Sequence, residues 1–201
     1  MGGDEDVVLR VDGRTARRER TRTSILEAVT ALIDEGELTP TGARIADRAG
    51  VSLRSIGLHF VDREQLLEAV AAHRVGPILA DAERIDVALP FDERLDRFLA
   101  QRARVLEALT SVSIAATIYE ATSPALRQRR RALLSVGRAE VAAVFAAELE
   151  RVGGGTDGEL LDAADSAAGW NTWWWLRSAG HDQPSATAVL RRLLDALLRP
   201  R

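Results

Sequence analysis

Residues 41–63 read TGARIADRAGVSLRSIGLHFVDR, and the order of capping, small and apolar residues in this stretch decides the fold. Thr41 can cap a helix carrying Ile45, Ala46 and Ala49 on one face, and Gly50 stands where that helix needs a left-handed residue to end it. Ser52 then caps the next helix. The spacing predicts two short amphipathic helices joined through Ala49, Gly50, Val51 and Ser52, followed by a further helix that Asp62 and Gln65 open as a capping box, with Val61 stapled against Leu66. A unit of this shape is either an ordinary helical hairpin or a helix-turn-helix, whose second helix can lie in the DNA major groove.

Working outward, residues 23–36 (TSILEAVTALIDEG), 38–52 (LTPTGARIADRAGVS) and 53–67 (LRSIGLHFVDREQLL) together resemble the N-terminal domain of the tetracycline-repressor (TetR) family. The match covers about a quarter of the chain, and its spacing agrees at Thr41, Ile45-Ala46, Ala49 to Ser52, His59-Phe60 and Asp62 to Glu64 at once. The resemblance implies a one-component transcription regulator, usually a homodimeric repressor whose larger helical domain binds a small effector. It also places His59 and Arg63 at positions that touch phosphate.

Within the third predicted helix, Ile56 and Phe60 recur at i and i+4 and should face the first two helices. Leu53, Arg54, Gly57, Leu58 and His59 are left for the outer side. Two positions depart from the family, which often has Gly where this chain has Arg54 and an aromatic, usually Tyr, where it has Gly57. Gly57 permits either close backbone approach to DNA or simply loses the aromatic contact. Arg54 is the candidate base reader, since guanine offers its O6 and N7 to a guanidinium. Thr41 and Ser52 can hydrogen-bond phosphate as well as cap, and Arg44, Ser55, Arg17 and Arg18 complete the expected DNA-facing set.

Charge supports the same end of the chain. The protein has a formal net charge of −3, yet residues 10–22 carry six arginines against Asp12 and Glu19. This basic start to the first helix can lie along phosphate or in the minor groove, or be a solvated end. All 27 basic residues are Arg, which reads as coding bias rather than function. With no Cys, disulfides, thiolate metal sites and a Cys nucleophile are excluded. His59, His73 and His181 lack ligand spacing, so no metal and no cofactor is expected. The outward carboxylates near the first two, Asp62 and Glu64, sit in no Gly-x-Ser-x-Gly, His-Glu-x-x-His or phosphate-cradling glycine motif, and no enzyme is expected. No segment reaches about 18 consecutive apolar residues and no signal peptide opens the chain, so a cytoplasmic protein away from membranes is expected.

Residues 1–13 read as a disordered leader, 14–62 as the helix-turn-helix domain and 63–201 as a helical domain for effector binding and dimerisation. The fold class is all-α, with about nine helices: the first from about Thr15 to Glu35 and stopped by Gly36, a fourth either kinked at Gly76-Pro77 and continuing to about Ile85 or ended there, a fifth over about 91–109, a sixth over 112–121. Ser123-Pro124 opens a seventh that runs to about Val152, Thr156 and Glu159 cap an eighth that stops at Gly180, and Pro184 opens a ninth. Trp170, Trp173 and Trp174 share one side of the eighth helix and Trp175 points elsewhere. The cluster suits a dimer seam, a pocket wall or plain core. Tyr119, with Thr117 and Ser113, suits either a largely apolar pocket or a core with a satisfied hydroxyl, so Tyr119, Trp170 and Trp174 are the candidate effector residues. The expected function is that of a sequence-specific, homodimeric repressor on a roughly palindromic double-stranded DNA operator, released by a small, largely apolar ligand. A regulator or activator without an effector is the alternative.

Overall fold

The computed structural model describes residues 4–153 and 158–199, and every regular element among them is helical. In chain order these are α1 (Asp4–Asp34), α2 (Gly42–Ala49), α3 (Leu53–His59), α4 (Arg63–Ala80), α5 (Phe91–Glu120), α6 (Pro124–Val144), α7 (Ala146–Gly153), α8 (Glu159–Ala167), α9 (Trp170–Ser178) and α10 (Gln183–Leu198). None of them is long and apolar enough to cross a membrane. They group into two compact units, one extending to His73 and taking in Ser111–Ile118, the other made of Arg74–Thr110 and the chain from Tyr119 onward. The division thus falls inside α4, beyond residue 62, where the buried Leu66, Leu67 and Val70 already belong to the first unit.

In the first unit, Ile25, Val29, Leu32 and Ile33 of α1 form the buried stripe that the sequence predicts, joined by Ile45, Ala46, Ile56 and Phe60. Ser111 Oγ donates to Asp34 Oδ1 at 2.6 Å, and Val112 and Ala115 add to the core. The leader expected over residues 1–13 is corrected from Asp4 on, because α1 starts there instead of at Thr15. The stretch has no Pro, and extending a helix that is already anchored needs no new nucleus, so Gly13, worth about 1 kcal/mol against the helix, does not stop it. Pro77 likewise lies within α4, which runs on to Ala80 and no further.

The core of the second unit is built from Leu95, Phe98 and Leu106 of α5, Val141, Phe145 and Leu149 around the α6–α7 junction, Leu161 and Ala164 of α8, Trp173 and Leu176 of α9, and Leu190, Leu194 and Leu198 of α10. Three helix boundaries differ from expectation. Residues 109–112 continue as one helix because they contain no breaker and Thr110 Oγ1 donates to its own helix at Leu106 O, 2.7 Å away. The predicted seventh helix instead breaks at Phe145 (φ −115°, ψ 24°), whose ring packs edge-on against Phe98 and Phe91 at 5.2 and 6.1 Å. Arg94 Nη1 donates to Val144 O at the same point and so takes up a carbonyl at the helix end. The predicted eighth helix breaks at Ala168-Gly169; Thr172 Oγ1 donates to Ser166 O at 2.7 Å, and a Cβ on Gly169 would lie 3.1 Å from Asp165 O. Thr156 lies outside the described residues, and α8 has Gly158 at its N-cap.

Candidate nucleic-acid interface

The head is assembled by short-range hydrogen bonds that its sequence dictates. Thr41 Oγ1 accepts from Arg44 N at 3.3 Å and Ser52 Oγ from Ser55 N at 3.1 Å, each holding the first turn of a helix. Gly50 ends α2 at φ 66°, a left-handed conformation that a Cβ disfavours, and its N–H and that of Val51 close onto Asp47 O and Ala46 O. Asp62 Oδ1 accepts from Gln65 N at 2.7 Å, and Gln65 Oε1 reaches back to Val61 N at 2.9 Å. The capping box therefore closes one residue earlier than expected. Across elements, Ser24 Oγ donates to Ala49 O at 2.8 Å, and Arg48 grips Glu35 with bonds of 3.0 and 2.5 Å. These contacts fix the turn against α1.

With Ile56 buried, the opposite side of α3 presents Leu53, Arg54, Gly57 and Leu58 outward, all exposed. Ser52 and Ser55 hydroxyls lie 2.9 Å apart and are engaged with each other. His59 is half-buried at the end of α3. Burial pushes its pKa below the ordinary imidazole value, and the positive charges of Arg18 and Arg22 push the same way. Arg22 also lies over the Phe60 ring, 5.1 Å from its centroid. One flank of α1 thus meets the end of α3. The other flank, through Arg17, Arg20, Thr21 and Ser24, lines a shallow groove of about 440 Å³ with Val51 of the turn.

Arginines here fall into two groups. Arg44 donates to Glu37 at 3.2 and 3.3 Å, Arg48 holds Glu35, and Arg63 reaches Pro40 O at 3.4 Å. Among the described residues, Arg14, Arg17, Arg18, Arg20 and Arg54 have no carboxylate within ion-pair distance, and all five are exposed. An unpaired, exposed guanidinium keeps its full charge for an incoming anion, and here such groups flank the exposed face of α3 on α1. Sequence reasoning placed Arg17, Arg18 and Arg54 in the candidate set and counted Arg20 and Arg22 only as charge. Thr21 and Ser24 have no signal in the sequence and Val51 stands in it only as a turn residue, because nothing local in the chain says that the turn closes on that part of α1.

No family model matches the chain, and no curated protein matches it in sequence. In three dimensions it is similar to a transcriptional regulator from Rhodococcus sp. Rha1, with a TM-score of 0.65 and 18% identity, covering 90% of this chain and 96% of that one. The likeness is one of fold.

In the second unit, the candidate effector residues only partly converge. Trp170 and Trp174 stack with ring centroids 6.0 Å apart. Arg130 lies over Trp170 at 5.2 Å, donates to Glu120 at 3.0 and 3.2 Å and to Asn171 Oδ1 at 3.3 Å. Tyr119 adjoins this group through Glu120, and its carbonyl accepts from Thr122 N and Ser123 N. Glu120, Arg130 and Asn171 escaped the sequence reading. Trp170, like Trp173, packs against the core, but Trp173 is fully buried, its Nε1 donating to Glu107 at 3.0 Å, while Trp174 and Trp175 are 42% and 63% exposed.

Proposed function

We propose that the chain is a sequence-specific DNA-binding transcriptional regulator of the TetR type, acting as a homodimeric repressor on a roughly palindromic operator and released by a small-molecule effector. The observation that carries the reading is the outward face of α3, with Arg54 free of any carboxylate among the described residues, flanked by the unpaired arginines of α1. In a helix-turn-helix such a second helix enters the major groove while flanking groups hold phosphate. Arg54 then reads a base; Arg17, Arg18, His59, Thr41, Ser52, Ser55 and Arg63 hold the backbone; Arg44, tied to Glu37 and Asp47, contributes from the margin. The fold shared with the Rhodococcus regulator supports the same assignment. Residues 14–62 serve as the DNA-binding domain and 63–201 as the body, with Trp174 and Trp175 at the seam between two copies and Tyr119, Trp170 and Trp174 toward the effector. The reading needs no catalytic residue, metal or cofactor.

Selection of bound duplexes from a random pool by the full-length chain tests it. Enrichment of one palindromic motif, with affinity falling steeply as salt rises, is the expected result. A pool that stays random overturns it. A regulator without an effector is the second reading, favoured by the filling of the body's core with Trp173 and the buried Arg94–Glu148 ion pair. A thermal-shift screen separates the two: a small molecule that both stabilises the protein and releases DNA supports the effector.

A further inference from the structure

The outward face of α3 contains one side chain able to donate a pair of hydrogen bonds to a base. Arg54 is that group; the Ser52 and Ser55 hydroxyls engage each other, which leaves one hydroxyl proton between them and suits them to phosphate, and His59 is turned half into the protein beside Arg18 and Arg22. What remains is apolar. At about 100° per residue, the order across the face is Leu53, Gly57, Arg54, Leu58, so the two leucines bracket the arginine. Leu53 is 60% and Leu58 66% exposed, so the face on both sides of Arg54 is apolar and open to a partner.

Their surroundings are shaped to match. A Cβ on Gly42 would lie 2.7 Å from Leu53 Cδ1, so the Leu53 side chain leans against the bare Cα of Gly42 at the first position of α2. Gly57 differs: nothing lies within 4 Å of the place where its Cβ would be. Among the described residues no neighbour demands glycine there, and its effect is to leave a hollow between Leu53 and Arg54. The major-groove edge of base pairs carries one apolar group, the thymine C5-methyl, alongside the guanine O6 and N7 pair that suits arginine.

We infer that Leu53 and Leu58 are specificity-determining residues that read thymine methyl groups on either side of a guanine read by Arg54. This rests on the DNA-binding reading above and deepens it to a half-site composition. Five residues of helix rise by about 7.5 Å, about two base-pair steps of 3.4 Å, so the two methyls lie within about two to three base pairs of each other. Gly57 allows the helix to sink until the leucines touch the groove floor.

The test uses the full-length protein and the motif it selects from random duplexes. Each thymine in turn is replaced by deoxyuridine, which removes the methyl and leaves base pairing intact, and affinity is read by fluorescence anisotropy. Wild type is expected to weaken about fourfold per half-site at two positions, the equivalent of one buried carbon. Leu53→Ala should abolish the penalty at one position and Leu58→Ala at the other, with Arg54→Ala retaining both; circular dichroism confirms that these exposed-site variants fold. A selected motif that tolerates deoxyuridine everywhere, or that has no thymine beside its guanine, overturns the inference and leaves DNA binding standing. Failure to enrich any motif overturns both.

Discussion

Arg94 of α5 and Glu148 of α7 meet in a bidentate ion pair, Nη1–Oε2 at 3.0 Å and Nη2–Oε1 at 2.5 Å, with side chains 6% and 3% exposed. Arg94 also donates through Nε to Leu89 O at 3.0 Å and through Nη1 to Val144 O, so one guanidinium ties the start of α5 to the break between α6 and α7. Removing one partner strands a buried charge. Glu148→Ala is expected to cost about 3–5 kcal/mol, or about 6–20 °C in Tm for a chain of this length, read by thermal denaturation. Burial pushes the Glu148 carboxyl upward, but the hydrogen bonds and charge of Arg94 outweigh it and hold its pKa below the ordinary value. With the folded value below the unfolded one, the pair's contribution is complete above about pH 4.3 and is lost as pH falls through the folded value. Urea melts of the Glu148→Gln variant should therefore show a shallower loss of stability on acidification than those of wild type.

The two groups of arginines on the head predict two kinds of defect. Arg17→Ala, Arg18→Ala and Arg20→Ala should each reduce the slope of log affinity against log salt by about 0.9 per half-site, with base preference unchanged. Arg54→Ala should cost about 1–3 kcal/mol on the preferred site and relax discrimination at one position of each half-site. Titrations of these variants on preferred and scrambled duplexes at several salt concentrations check both. Uniform weakening by Arg54→Ala on all sequences would make it a phosphate contact.

His59 gives the head a pH dependence whose sign can be worked out. In the free protein burial, aided by Arg18 and Arg22, lowers its pKa. A folded value below the unfolded one contributes stability that is present above the unfolded pKa, about 6.5, and lost as pH falls through the folded value. A phosphate docked beside Arg18 and His59 adds its negative charge to that of Glu19, offsets the positive charges of Arg18 and Arg22, and raises the pKa. Affinity should then increase as pH is lowered from about 7.5 to 5.5, and the His59→Gln variant should lose that dependence. NMR titration of the His59 ring with and without operator is the direct measurement; an unmoved pKa would place His59 away from the backbone.

What could be read in the sequence is what short separations decide. The caps at Thr41, Ser52, Asp62 and Ser123 join residues three apart, and the left-handed Gly36, Gly50 and Gly180 need only their own φ. The head therefore emerged almost complete, including the outward face of α3. Boundaries in the body depended on partners far along the chain: the break at Phe145 goes with a donor 50 residues away in Arg94. The group of Glu120, Arg130 and Trp170 spans separations of 10 and 40 residues, which no periodicity reveals. Among the tryptophans the spacing was right and the edge of the core was not, because Trp173 lies about 100° round the helix from Trp174 and the core ends between them.

That edge predicts opposite outcomes for adjacent residues. Trp173 is fully buried and bonded to Glu107, which Arg177 also holds at 2.8 and 3.1 Å. Trp173→Ala should cost about 3–5 kcal/mol of folding stability. Trp174 and Trp175 are exposed, so replacing either with Ala should leave the melting of the isolated chain within about 0.5 kcal/mol. If they form the seam between two copies, the loss appears in association, where a central tryptophan is worth about 2 kcal/mol or more and is counted once on each side of a twofold interface. Sedimentation over a concentration series should show wild type as a dimer and Trp175→Ala dissociating at concentrations about 700-fold higher. A wild-type chain that stays monomeric throughout, or a Trp174→Ala, Trp175→Ala double variant that dimerises as wild type does, would take these residues out of the seam.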